Sequence, residues 1–385
     1  MGRTKVTIIW AIPQAIKERS EFMLAEADAA NAIYIHTSDR LAYKTCRRKW
    51  NWNSKIRHNY RAIQRAMPLD FGTAIHAALE VFYAAETWNS TFDQRCTVEV
   101  LSVLRFQESM QETRDNYLVK TKQEGLSEEE LDDWNYHFVL GQMMLKNYFT
   151  WTIETNQDDF TVLATELDFV VYLFQDEKSG RPVYYRGRID LLVQDKAGNC
   201  WVADHKTAAS FSDSLSRLEF DEQLGSYNWA ILKAFDLPVV GNLYNELWKQ
   251  VPIPPEPMKR RYLGKLLSTS KDNPVTYNMM LEAIYKYGED RALYEDYLTW
   301  LSLEGPQFFR RTQFHRNKAE LDDIERRIRV EAMEMATIPE ESCYPNPSRF
   351  ENGHCKWCAF RTPCLAINDG SDVNWILQNN YTIGE

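Results

Sequence analysis

A chain of 385 residues with 44% hydrophobic and 13% aromatic residues can build a real core, which makes it a globular protein. Its net charge of −10 excludes a protein coated in basic residues, though not a nucleic-acid partner, because what matters is where the positive charge sits. The N-terminal apolar run of about eight residues, broken by Pro13, is too short to span a membrane and lacks a leader-cleavage pattern, so a soluble cytoplasmic protein with no membrane partner is expected.

Beyond Pro13 the first residues, to 37, read as mostly helical, and Ser38 or Asp39 can cap a helix through LAYKTCRRKWNW. Between Arg40 and Arg65 the chain holds many basic residues, Arg47, Arg48 and Lys49 among them, and no acid. Trp50, Trp52 and Tyr60 are interleaved. Phosphates attract such a segment and its rings can stack on unpaired bases, unless it is simply a solvated basic helix face. Pro68 and Asp70 open a helix with Phe71, Ile75, Leu79 and Phe82 on one face, and it carries Gly72 and His76. Long helices follow over 92–118 and 128–153, the second capped by Ser127. Strand patterns occupy 160–174, 183–193 and 200–205, then a helix over 219–235 and a strand over 239–248. The prolines of 251–257 mark a break. The stretch 258–340, with Arg310 and Arg311, reads as mainly helical, and 319–335 as a long charged helix. The tail from Pro345 is loop-rich. This divides the chain into an N-terminal helical region (1–66), a core (67–250), a helical region (251–342) and a cysteine-rich tail (343–385). Gly264-Lys265 lacks the glycine and hydroxyl residue of a phosphate-binding loop, so any helicase or ATP motor is a separate chain.

The segment YYRGRIDLLVQDKAGNCWVADHKTA carries the chemistry. Two strands joined by turn residues 195–199 form a hairpin, and each strand delivers an aspartate, Asp190 and Asp204. Alternation places Asp204 and Lys206 on one face and His205 on the other. Two carboxylates with an ammonium beside them suit metal-assisted phosphodiester cleavage: the acids hold a hard divalent cation, and the lysine offsets phosphate charge or helps activate water. An isolated D-x-K is more often a salt bridge. Three further elements accompany it. His76 alone would more often be a core or capping residue, and Glu166 alone in TELDFVVY says little. Gln223 and Tyr227, four apart, share a helix face where an amide and a phenol can bind phosphate.

Taken together, G-x-x-x-H, a strand glutamate, G-x-x-D, D-x-K-T and Q-x-x-x-Y resemble the RecB-like branch of the PD-(D/E)XK nucleases, which includes AddB-type nuclease domains and CRISPR-associated RecB-like exonucleases. The resemblance covers about 38–250 and resumes in the tail. It implies an α/β (α+β) restriction-endonuclease-like core, a mixed sheet from about 160 to 250 flanked by helices, and a metal-dependent DNA exonuclease of repair, recombination or processing. It further implies Mg²⁺ or Mn²⁺ on His76, Asp190, Asp204 and the His205 carbonyl, with Glu166 as an additional candidate. Lys206 would be the catalytic lysine, and Gln223 and Tyr227 would position substrate. One departure is that the second acid is Asp204 where many relatives use Glu. The implied partner is DNA, single-stranded or an end-containing duplex, bound in part by Arg47, Arg48 and Lys49, and a helicase, recombinase or integrase can be a further partner. A non-catalytic nucleic-acid-binding component of a larger assembly is the alternative.

Seven cysteines in an intracellular chain suit metal ligands or buried thiols rather than disulfides. Cys355, Cys358 and Cys364 with a distant fourth thiol suit an iron–sulfur cluster. The resemblance points to Cys46 as the fourth ligand of a [4Fe–4S] cluster that ties segments roughly 300 residues apart, a closure otherwise costly in chain entropy. A zinc site using the nearby Cys343 is the competing arrangement. Cys96 and Cys200 read as buried thiols.

Overall fold

The computed structural model describes residues 3–63, 67–84, 92–211, 216–348 and 353–384. Arg65 and the side chain of Cys96 lie outside the described residues. Helix α1 (Arg3–Ala29) leads into a short strand β1 (Ile33–His36), helices α2 (Thr37–Thr45) and α3 (Arg47–Asn53) and strand β2 (Tyr60–Ala62). Three helices follow: α4 (Met67–Phe82), α5 (Phe92–Thr121) and α6 (Glu128–Glu154). The central strands are β3 (Thr161–Gln175), β4 (Pro182–Gln194) and β5 (Cys200–Ala208). Then come the one-turn helix α7 (Ser216–Glu219), α8 (Glu222–Phe235) and β6 (Val239–Trp248). A two-stranded arm, β7 (Pro257–Tyr262) and β8 (Lys265–Leu267), precedes α9 (Tyr277–Lys286), α10 (Glu295–Glu304), β9 (Phe309–His315) and α11 (Lys318–Thr337). The chain closes with α12 (Arg361–Asp369), α13 (Val373–Asn380) and β10 (Tyr381–Ile383).

The fold is α/β, as the alternating patterns predict: one mixed six-stranded sheet with helices on both faces. Strand β4 pairs antiparallel with β3 along its length, while its other edge pairs with β1 near its start and β5 near its end. Strand β6 runs parallel to β5, and β9 pairs antiparallel with β6. The sheet is therefore wider than the expected 160–250, since β1 and β9 join it from outside that range. Arg310 and Arg311 stand on a strand, and 258–340 is less helical than its composition suggested.

Each face of the sheet buries its own core. On one side Ile189 and Val202 pack with Trp229 and Ile231 of α8 and Ile324 and Ile328 of α11. On the other, Leu191, Val193 and Ala203 pack with Phe71, Ile75 and Leu79 of α4 and with α5 and α6. Ser127 caps α6, its hydroxyl accepting from the Glu130 N–H while the Glu130 carboxylate accepts from the Ser127 N–H. In α2 the cap is His36 rather than Ser38 or Asp39. Asp39 sits in the first turn and accepts the His36 N–H at 2.9 Å.

The expectation of an open, basic, base-stacking segment at 40–65 is corrected in part. Trp50 is fully buried and Trp52 nearly so, so both rings serve the core. Arg40 is buried against Glu331 of α11 and Glu222 of α8, and Lys44 pairs with the same two carboxylates. A charge run read as an outward face thus closes one helix onto two others.

Candidate active site

The β4–β5 hairpin turns through Asp195–Asn199. The Asp195 carboxylate accepts from the Ala197 and Asn199 N–H groups, and Gly198 takes φ 90°, which suits glycine. From that turn the strands pair only as far as Leu191↔Ala203. Beyond it β5 continues against β6, and β4 meets its next neighbour on that edge only at Arg186↔His36. Residues 187–190 therefore form an unpaired stretch of strand edge inside the sheet, a gap that opens where the acids stand. At Gly187 a Cβ would lie 2.5 Å from the Phe169 ring, so only glycine fits the strand this close to its neighbour.

Asp190 fills the gap. Its Oδ2 accepts the His205 N–H at 2.7 Å, replacing the missing ladder bond, and its Oδ1 lies 3.5 Å from His76 Nδ1. The core packing explains its aim: Ile189 faces the α8 side and Leu191 the α4 side, so the two-residue alternation slips at Asp190. Extended backbone sends the N–H and C=O of one residue to the same edge, so the His205 carbonyl also looks into the gap. Gly72 stands one turn before His76, and a Cβ there would be 3.8 Å from Thr207 Oγ1, which seats the start of α4 on the end of β5.

Asp204 is 1% exposed and Lys206 bridges both its oxygens, at 3.0 Å from Oδ1 and 2.9 Å from Oδ2. Asp204 Oδ2 nevertheless receives no well-aligned hydrogen bond. As alternation requires, His205 points to the opposite face, where its ring stacks on Tyr83 at 5.5 Å and 11°. Gln223 donates to the Tyr227 hydroxyl at 2.9 Å, one turn on in α8. Tyr227 lies on the Asp204 side of the sheet, and burial, then the Asp204 charge, pushes its phenol far above the ordinary value.

Electrostatics separate the two aspartates. Burial works against the Asp190 charge, yet the hydrogen bond and charge of His76, with His205 and Lys206, hold it down to about 2. Asp204 is raised to about 6 by burial, only partly opposed by Lys206. Glu166 is raised to about 7 by burial and by the Asp190 charge. Lys206 moves upward: burial disfavours its charge, but Asp204 and Asp190 outweigh that.

His76, Glu166 and Asp190 bring ligand atoms within 4.8 Å of one another, the one such set among the described residues. Two carboxylates and one imidazole are a donor set for a divalent cation that accepts oxygen and one nitrogen. Asp204, on the adjoining strand and held by Lys206, lies outside that set. The residues present therefore fit such an ion.

Sequence reasoning missed the support behind this set. Arg311 on β9 and Asp158 form an ion pair with both side chains 6% exposed. Arg311 also donates to the hydroxyls of Tyr83 and Tyr148, at 3.2 and 2.8 Å. Asn245 lies 2.9 Å from His205 Nδ1 and donates to Tyr148 at 3.0 Å. The chain of contacts ends at His205, whose backbone holds Asp190. The apolar-flanked arginines of FFRRTQF were the only signal for it.

Away from the sheet, β2 pairs with β10, and Trp52, Phe360, Leu377 and Tyr381 bury a small core against Cys358 and Cys364. Three of the four expected sulfur ligands already accept hydrogen bonds: Cys46 from the Asn346 N–H (3.4 Å), Cys355 from the Ser348 N–H (3.3 Å) and Cys364 from Arg48 (3.5 Å). Cys358 is raised by burial, opposed in part by a backbone hydrogen bond from Phe360 and by the Lys49 charge. Cys343 is buried apart from them, against Arg57 and the Pro339 carbonyl. Cys200 is buried in the sheet core. Arg47 lies over the Tyr43 and Tyr344 rings and Arg48 over Trp52, so neither is simply a solvated cation.

A family model described as the PD-(D/E)XK nuclease superfamily matches residues 38–365, most of the chain. No curated protein matches it. A solved structure titled "Crystal structure of SSO0001" aligns with 12% identity over 91% of this chain and 94% of that one at a TM-score of 0.33, too slight a likeness to argue from. No helix among the described residues is long and apolar enough to cross a membrane.

Proposed function

We propose a specific role for this chain, which belongs to the PD-(D/E)XK nuclease superfamily and so is a metal-dependent nuclease acting on nucleic acid: it is a DNA exonuclease of the RecB-like branch that carries a [4Fe–4S] cluster. The observation that carries the nuclease chemistry is the convergence of His76, Glu166 and Asp190 in the gap of the sheet, with Asp204 and Lys206 on the adjoining strand.

His76, Glu166, Asp190 and Asp204, with the His205 carbonyl, would hold Mg²⁺ or Mn²⁺. When bound, that ion supplies Lewis-acid charge at phosphorus and a more acidic water. The chain's own residues do the rest. The His205 N–H fixes the Asp190 carboxylate. Lys206 is kept protonated by Asp204 and Asp190, which suits donation to a phosphoryl oxygen or to the attacking water rather than proton abstraction. Gln223 and Tyr227 form a neutral donor pair that can meet the strand backbone without competing for the cation.

The cluster reading rests on the sulfur atoms. Backbone and arginine donors turned toward Cys46, Cys355 and Cys364 suit thiolates, and cluster sulfurs are commonly tuned by such bonds. Cys343, which also accepts from an arginine (Arg57, 3.8 Å), is the competing fourth ligand.

End-labelled linear and circular DNA, each single- and double-stranded, test the proposal with Mn²⁺ or Mg²⁺ present. Stepwise loss of terminal nucleotides from linear DNA with circles intact is expected. Cleavage of circles overturns the exonuclease assignment, and binding without turnover favours a non-catalytic nucleic-acid-binding component.

A further inference from the structure

The unpaired edge of β4 does not end at Asp190. It continues into a groove of about 870 Å³ that runs past Gly187 to β1, α11 and the loop after α3. Its charge is unlike that of the protein as a whole. Lys55, Arg57, Arg181, Arg186 and Arg188 line it, against the single carboxylate of Asp168, in a chain of net charge −10.

That lone carboxylate is already engaged: Arg188 pairs with Asp168 at 2.7 Å. Among the described residues Arg57, Arg181 and Arg186 pair with no carboxylate. Arg57 bonds the Ile338 carbonyl and lies over Trp50, while Arg181 bonds the backbone carbonyls of Asn31 and Ala32. Arg186 lies over the Tyr34 ring, 4.9 Å from its centroid. Neutral partners fix these side chains in place; the Glu340 carboxylate feels the charge of Arg57 but is itself held by His58 at 2.7 Å. Gathering these cations in one groove is unfavourable for the fold, and the arrangement suits an anion with repeated charges.

The groove and the metal-ligand set share a rim. Arg188 and Asp168 line both this groove and the recess containing Glu166, and Arg188 lies 3.9 Å from the Glu166 carboxylate. Arg186 and Asp190 are four residues apart on one strand, a span of about 13 Å, or a few nucleotides.

We propose that this groove holds the phosphate backbone of a single nucleic-acid strand and leads it into the gap at Asp190. The proposal rests on the nuclease reading of that gap and adds the path by which substrate reaches it. A single strand is favoured because the cations line a recess inside the sheet edge rather than a broad convex face. Arg47 and Arg48, packed around rings and cysteine sulfur, are not needed for it.

The test measures fluorescence anisotropy of a labelled single-stranded oligonucleotide with Asp190→Asn protein, alone and with Lys55→Ala and Arg186→Ala added, over a salt series. Removing two contacts is expected to weaken binding about tenfold or more near 0.1 M salt and to lower the slope of log K against log salt by about 1.4, at about 0.7 per phosphate on a single strand. Lys55→Gln, at an exposed position, keeps the test valid if the double change unfolds the protein, and is expected to lower the slope by about 0.7. Unchanged affinity and slope overturn the proposal, as does a duplex bound more tightly than the single strand. Strand binding through these residues by a wild-type protein that cleaves nothing would sink the nuclease reading and uphold the groove. Cleavage with binding indifferent to them would sink the groove alone.

Discussion

Glu166 stands directly across from Asp190. The pairs Thr165↔Leu191 and Leu167↔Ile189 flank them on β3 and β4, and Glu166 takes a φ of 44° in the middle of a strand. A left-handed, non-glycine residue inside a strand costs of order 1–3 kcal/mol and persists only where the surroundings impose it. Here it turns a carboxylate toward His76 and Asp190.

This predicts opposite effects on stability and function. Glu166→Gly removes the strain at this φ, offset in part by glycine's entropy in the unfolded chain, so thermal stability should hold or rise. Its Mn²⁺ affinity should fall, because one of the three clustered donors is gone. Calorimetric melting and Mn²⁺ titration check the pair, and a Glu166→Gly protein that is less stable with unchanged metal affinity refutes it.

Metal binding should be steeply pH-dependent. The metal-free site holds Glu166 up at about 7 and Asp204 at about 6, both chiefly through burial. Below those values the carboxyls carry protons that a cation must displace, so affinity falls as pH drops. Mn²⁺ titrations followed by electron paramagnetic resonance should show weaker binding near pH 5.5 than near pH 8. A flat profile would mean these two groups are not ligands.

The buried pair behind the site should be costly to break. Arg311→Met leaves Asp158 charged and buried, a loss of about 3–5 kcal/mol. Adding Asp158→Asn should recover part of it, since the orphaned charge disappears. Urea unfolding of the two single variants and the double variant measures both effects, and additive losses would show the pair is not coupled.

The cysteines separate two ligand sets. Cys46→Ser or Cys364→Ser is expected to abolish the brown colour and iron content of anaerobically purified protein, while Cys343→Ser keeps both. A colourless wild-type protein with stoichiometric zinc contradicts the cluster.

The β4–β5 hairpin was legible because its information is local: turn chemistry at 195–199 fixes it, and alternation then sets Asp204 and Lys206 against His205. The parting of β4 from β5 was not legible, since it depends on which distant strand each edge finds next. The same holds for Arg311, whose partners come from the residue just after α4, the loop before β3 and α6, and for Trp50 and Trp52. An aromatic among arginines reads alike whether it stacks on a base or fills a core. In each case the deciding contact lies far away in sequence.

The central claim is that one site at Asp190, Asp204 and Lys206 cleaves DNA. Its most direct test is the rate of nucleotide release from linear single-stranded DNA with Mn²⁺, compared among wild type, Asp190→Ala and Lys206→Ala. The account predicts turnover by the wild type and a loss of about 10²–10⁴-fold in each variant, the scale for removing a charge-stabilising or proton-transferring group. Undiminished cleavage by a Lys206→Ala protein free of contaminating nuclease would contradict it.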